Sequence, residues 1–185
     1  SRTVQLAIAA IVISQAVMVL VMVMTPLHIR DNDGSLATVG WVMMAHTLGM
    51  FAIAPVTGRL VDRYGSRTMI TGAVGTFVVA CVIAASASTA STFTLIIGLF
   101  LLGVAWNFGF VAGSTLLQEG HPVADRLKLQ GLADSSAWVT AAMAAAASGV
   151  IVASTSYASL GLLGALLALI PLASMYRERA VATSQ

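Results

Sequence analysis

Six stretches of about 20 or more residues, each long enough to cross the hydrocarbon core of a bilayer as a helix, run along this chain with almost no charge inside them. They are Val4 to Leu27, Leu36 to Gly58, Thr68 to Ala87, Phe93 to Leu117, Gly131 to Ala153 and Tyr157 to Tyr176. In hydrocarbon every backbone N–H and C=O must be satisfied within the chain, so windows of this length read as helices. An outer-membrane barrel would show shorter segments of alternating polarity. The expected fold class is therefore all-α, a polytopic membrane protein in which residues 1–185 make a single six-helix transmembrane bundle. Composition agrees, with 58% hydrophobic and 9% charged residues against roughly a quarter charged in a soluble domain. So little chain lies outside the windows that an attached soluble domain, a nucleic-acid module and a secreted disulfide scaffold are excluded. The single cysteine, Cys81, falls inside the third window. It excludes an internal disulfide and reads as a small packing residue.

The distribution of charge sets the expected sidedness. When the connections are assigned alternately to two sides, one side carries Arg2, Arg59, Arg63, Arg67, Arg126, Lys128, Arg177 and Arg179, and the other carries only Arg30. Lys and Arg accumulate in cytoplasmic loops, so both termini and the connections after the second and fourth helices are expected in the cytoplasm. The external connections, His28 to Ser35, Ser88 to Thr92 and Ser154 to Ser156, are short and polar, and the cytoplasmic stretch Gln118 to Gln130 is longer. The Arg177-Glu178-Arg179 cluster is expected to stop the last helix, leaving Ala180 to Gln185 as a frayed tail. In the fifth helix Ala141, Ala145 and Gly149 recur every four residues, a spacing that lets two helix backbones approach closely. That helix is expected inside the bundle.

The most informative run is Gly58-Arg59-Leu60-Val61-Asp62-Arg63-Tyr64-Gly65-Ser66-Arg67, on the basic side between the second and third windows. Gly58 suits a helix end, and Gly65 suits a turn with positive φ. Asp62 is suited to accept hydrogen bonds at a neighbouring helix N-terminus, and Arg63 and Arg67 to pair with acidic groups or lipid phosphates. Simple anchoring by positive charge explains the arginines but neither the glycines nor Asp62.

This run resembles the signature loop of the major facilitator superfamily of secondary transporters, Gly-x-Leu-x-Asp-Arg-x-Gly-Arg-Arg/Lys, between the second and third helices of a six-helix half. Gly58, Leu60, Asp62, Arg63, Gly65 and Arg67 match, while Ser66 stands where the pattern has a basic residue. The resemblance implies a latch on the cytoplasmic side, in which the loop's Asp meets a helix end of the other half and holds the outward-facing state. It also implies that this chain covers about one half of a transporter. The fourth window lacks the Arg, and the fifth the Gly-Pro pair, that mark N-terminal halves. The run from Trp106 to Ser114 and the pattern Arg126-x-Lys128-x-Gln130-Gly131-x-x-Asp134 resemble the tenth and eleventh helices of bacterial members. With Ser1 in place of an initiator Met, the expectation is the C-terminal half of a bacterial transporter in the cytoplasmic membrane.

In that family the first and fourth helices of each half line the cavity, near the bilayer midplane. On that resemblance Gln15 and Met22, with Trp106 and Asn107, are the candidates for touching substrate. Two ionisable residues lie within the windows, His46 and Asp134, and a charged group there is costly enough to suggest function. Asp134, read as lying in the first turn of its helix, is a candidate for proton coupling or for the latch with Arg63, and His46 for proton coupling.

Enzyme chemistry finds no footing in the sequence: Gly113-Ser114 lacks the Gly-x-Ser-x-Gly frame, and neither His-Glu-x-x-His nor a Gly-rich phosphate loop with Lys occurs. No metal or cofactor is expected. The expected function is secondary active transport of a small solute by alternating access, driven by the proton gradient and directed toward efflux. Its expected partners are membrane lipids, an N-terminal six-helix half and a small-molecule substrate, with no nucleic acid. The alternative is a complete six-helix protein acting as a homo-oligomeric channel or receptor subunit.

Overall fold

Three of the four prolines break a membrane span in two, and the fourth starts a helix. In the computed structural model the described residues are 2–87 and 92–182, with side chains described as far as Tyr176. The first span is α1 (Arg2–Met22) and α2 (Thr25–Asp31), the second α3 (Leu36–Phe51) and α4 (Ala54–Tyr64). Then come α5 (Ser66–Ser86), α6 (Thr92–Gln118) and α7 (Val123–Ser154), and the sixth span is α8 (Tyr157–Leu167) and α9 (Ile170–Ala182). Pro26, Pro55 and Pro171 each fall in the first turn after a break, where a missing N–H costs least, and Pro122 caps α7. Among the described residues six helical stretches are long and apolar enough to cross a membrane, and the chain is all-α.

The helices outrun the apolar windows at four places, and at the last of these α9 runs on to Ala182, so Arg177-Glu178-Arg179 do not stop it. The first span continues to Asp31, so His28, Ile29 and Arg30 are helical and not part of an external loop. Helix α4 passes through Gly58 to Tyr64, so Gly58 ends no helix. Helix α7 begins at Val123, eight residues ahead of Gly131, and absorbs most of the expected loop. An apolar window marks hydrocarbon depth, and a helix need not stop where hydrocarbon stops. Most of Ser88 to Thr92, the Arg177-Glu178-Arg179 side chains and residues 183–185 lie outside the described residues.

Two core clusters are stacked along the spans. One, toward the end that carries Gly65, holds Leu6, Ile11, Val61, Ile70, Leu116 and Ala133. The other, toward the opposite end, holds Val17, Val42, Phe77, Leu99, Leu102 and Leu160. Between them sit the buried polar residues Ser14, Gln15, Thr57 and Asn107.

Helix α6 is the hub, packed on α1, α3 and α5. Its glycines make the close seams: a Cβ on Gly103 would strike the His46 carbonyl oxygen of α3, and one on Gly109 the Ser14 hydroxyl of α1. On α8, Gly161 and Gly164 meet the carbonyl oxygen and the sulfur of Cys81, so the cysteine is a packing residue. The stripe on α7 behaves differently. Ala133, Ala137, Ala141 and Ser148 are buried, mainly toward α1, but Gly149 has only Met24 Cε at 4.0 Å. Trp138, Val139, Met143 and Val150 are exposed. The fifth span therefore lies at the rim of this bundle, not within it, and close glycine contact occurs on α6 and α8.

Candidate functional site

The signature run forms the corner between α4 and α5. Gly65 alone joins the two helices, at φ 82° and ψ 152°, a conformation open essentially to glycine. Its N–H donates to the Val61 carbonyl at 2.8 Å. Leu60 packs against the core cluster at this end. Asp62 and Arg63 are exposed on the last turn of α4, with the Arg63 guanidinium 5.3 Å from the Tyr64 ring centre. Ser66 is buried, and its hydroxyl donates to Glu119 Oε1 at 2.8 Å, tying the start of α5 to the end of α6. A short neutral donor thus meets a carboxylate where the family pattern has a cation. Arg67 reaches back to Thr3 Oγ1 of α1 at 3.4 Å.

At mid-depth the adjacent residues Trp106 and Asn107 of α6 point to different neighbours. Trp106 Nε1 donates to Gln15 Oε1 of α1 at 2.7 Å. The Trp106 ring stacks on Phe110, with centroids 5.1 Å apart and planes at 17°, and Phe51 of α3 approaches it edge-on at 5.9 Å. Asn107 is buried, and its Nδ2 donates to the Met50 carbonyl at 2.7 Å while its Oδ1 accepts from the Thr57 hydroxyl. Met50 lies just before the break between α3 and α4, where the helical hydrogen-bond ladder is interrupted. Asn107 therefore closes the hydrogen bonding that the break leaves open. Both ends of its amide are engaged, so Asn107 acts as a staple between α6 and the α3–α4 break. Met22 ends α1 two turns beyond Gln15, half-buried against the core of the other end.

Asp134 is the twelfth residue of α7, well past its first turn, so the helix N-terminus does not account for it. It is half-buried and accepts from Gln130 Nε2 at 2.8 Å, which gives it a Gln130 partner in place of Arg63. Gln130 Nε2 also approaches Ser114 Oγ at 3.3 Å, bridging α7 to α6, and Gln130 Oε1 is buried without a partner among the described residues. Beside this bridge a cleft of about 450 Å³ is lined by Phe110, Ser114, Thr115, Gln118, Glu119 and Arg126. His46 is buried apart from these groups. Its Nδ1 donates to the Leu99 carbonyl at 2.9 Å, and its Nε2 has no partner among the described residues.

The structure thus joins Gln15 to Trp106 and leaves Met22, His46 and Asp134 in separate places. Sequence reasoning missed Phe110, whose signal was the spacing of four from Trp106 along a helix. It also missed Phe51, Thr57 and Gln130, which only tertiary packing brings in.

A family model described as Major Facilitator Superfamily matches residues 6–184. The uncharacterized MFS-type transporters YdeG and YddS of Bacillus subtilis are 42% and 37% identical, over 86% and 91% of this chain. The riboflavin transporter RfnT of Brucella anthropi is 29% identical over 82% of the chain. The matched segments cover 37%, 39% and 38% of those relatives, so the chain spans less than two fifths of their length.

Proposed function

Because the chain belongs to the major facilitator superfamily, we propose that it is the C-terminal six-helix half of a bacterial secondary transporter, joined to an N-terminal half and working by alternating access in the cytoplasmic membrane. Family membership makes it a multi-pass membrane protein of a kind that carries solutes across membranes, with bacterial relatives. The mechanism goes further. The observation that carries it is the corner at Gly65, which holds Asp62 exposed on the last turn of α4. There its carboxylate is free to meet a helix N-terminus of the other half, where the dipole favours an anion. Breaking that contact releases one state, and two bundles rock about a site at mid-depth, where Gln15 and Trp106 stand.

The proton gradient is the driving force in this reading, with half-buried Asp134 and buried His46 as the ionisable groups within the spans. Export is the favoured direction in this reading. The relative named a riboflavin transporter makes riboflavin the first solute to offer.

A measurement independent of the solute tests the latch. In the full-length transporter, a cysteine at Gln118, which lines the cleft at the Gly65 end, reports opening of that end by its rate of reaction with a thiol reagent. Asp62→Asn is expected to raise that rate several-fold with no loss of folded protein. An unchanged rate overturns the latch.

A further inference from the structure

We infer that the mid-depth site takes a neutral, planar conjugated ring bearing a hydrogen-bond acceptor on its edge. The inference rests on the transport reading only in placing this surface on the solute's path. Three features of the site carry it.

The first is a fixed aromatic shelf. Trp106 and Phe110, one helical turn apart on α6, lie within 17° of parallel, and Phe51 stands edge-on at 70° to Trp106. All three are partly exposed. Flat rings favour offset stacking or edge contact with other rings, so the outer face of this stacked pair, beside one upright edge, suits a flat guest better than a bulky one. The Trp106 indole cannot turn freely, because its N–H is held by Gln15, so the shelf is organised before anything binds.

The second is the other half of the Gln15 amide. Gln15 is 5% exposed, near the middle of the first span. Its oxygen is taken by Trp106, which leaves its Nε2 as the end that offers donors. A donor at that depth is satisfied by an acceptor that a ligand can supply. The amide is thus a fixed donor beside an aromatic face.

The third is the continuation of the shelf. Phe110 also lines the cleft of about 450 Å³ in which Ser114, Thr115 and Gln118 present hydroxyls and an amide, and Glu119 and Arg126 present charges farther from the rings. That volume falls in the range of small-molecule sites, which are mostly apolar with a few placed polar groups. No Lys, Arg, Asp or Glu belongs to the shelf itself, so the ring it accepts is neutral, and polar substituents extend along the cleft.

The test uses the full-length transporter in nanodiscs, with lumichrome, a neutral flat tricycle with ring carbonyls, as the fluorescent probe. Camphor, a ketone of comparable polarity without a plane, is the competitor. Lumichrome is expected to bind saturably and camphor to compete poorly. Trp106→Leu and Gln15→Leu should each weaken lumichrome by about ten-fold, and Trp138→Leu on the exposed face of α7 should not weaken it. Phe110→Leu, at a half-buried position, replaces Trp106→Leu if that variant does not fold. Absence of saturable binding to the folded wild type, or binding that ignores both the Trp106 or Phe110 change and the Gln15 change, overturns the inference. Uptake into proteoliposomes from the same preparation separates the two readings. Ring binding without transport of any solute keeps the shelf and overturns the transporter, and transport of other solutes without ring binding does the reverse.

Discussion

Asn107 illustrates how far a residue's type can stand from its use. A buried asparagine in a span offers two donors and an acceptor, which suits a ligand as well as a helix. Here the Met50 carbonyl and the Thr57 hydroxyl claim both ends. Removing the side chain by Asn107→Ala leaves a buried carbonyl open at the α3 break, at a cost of about 1–3 kcal/mol. Polar pairs between membrane helices are often weaker, averaging about 0.6 kcal/mol in one well-studied bundle. The Met50 carbonyl stands where the helical ladder is interrupted between α3 and α4, so the larger figure applies here. Asn107→Ala is expected to lower the thermal midpoint clearly. Thr57→Val alone should do so less, and the double variant should fall short of their sum. Additive losses in a double-mutant cycle would mean that the two side chains do not act together.

Helices α4 and α5 show which element features were readable in the sequence. Gly65 was recognisable as a positive-φ corner from its place after Asp62-Arg63, and it has that conformation. Gly58 invited the same treatment and does not merit it, since it lies mid-helix with no neighbour within 4 Å of a Cβ. The two predictions therefore have opposite signs. Gly65→Ala should destabilise by about 1–3 kcal/mol, whereas Gly58→Ala should be neutral or stabilising by up to about 1 kcal/mol. Thermal denaturation of both variants in detergent distinguishes them, and a destabilising Gly58→Ala would restore the reading of Gly58 as a required glycine. The six spans were legible because hydrocarbon thickness imposes window length. Helix ends were not, because polar helical turns such as Val123 to Gln130 extend beyond the apolar windows. The breaks before Pro26, Pro55 and Pro171 were written in the sequence and passed over. The glycine seams of α6 and the aromatic partners of Trp106 depend on which helices become neighbours, and hydropathy does not encode that.

At the scale of the whole molecule, charge decides orientation more firmly than any single packing contact. Among the residues whose side chains are described, Arg2, Arg59, Arg63, Arg67, Arg126 and Lys128 belong to the Gly65 side of the chain and Arg30 to the other. Contacts between Arg67 and Thr3 and between Ser66 and Glu119 bring the ends of α1, α5 and α6 together on that side. Each basic residue near an anionic leaflet contributes about 1 kcal/mol, so a five-charge excess amounts to about 5 kcal/mol in favour of one orientation. Among the described residues no basic cluster stands at the far end, where His28 stacks on Tyr157 with centroids 4.2 Å apart and the Thr25 and Tyr157 hydroxyls are 2.9 Å apart. The chain supplies a clean test of this argument, because its one native thiol, Cys81, is buried and gives little background. In intact cells Asn32→Cys should react with a membrane-impermeant maleimide. Asp125→Cys should react only after the membrane is opened, both positions being exposed on the structure. The reverse pattern would place Asp62 outside the cell and remove the cytoplasmic latch with it, since a contact that holds the outward-facing state closed must lie on the inner face.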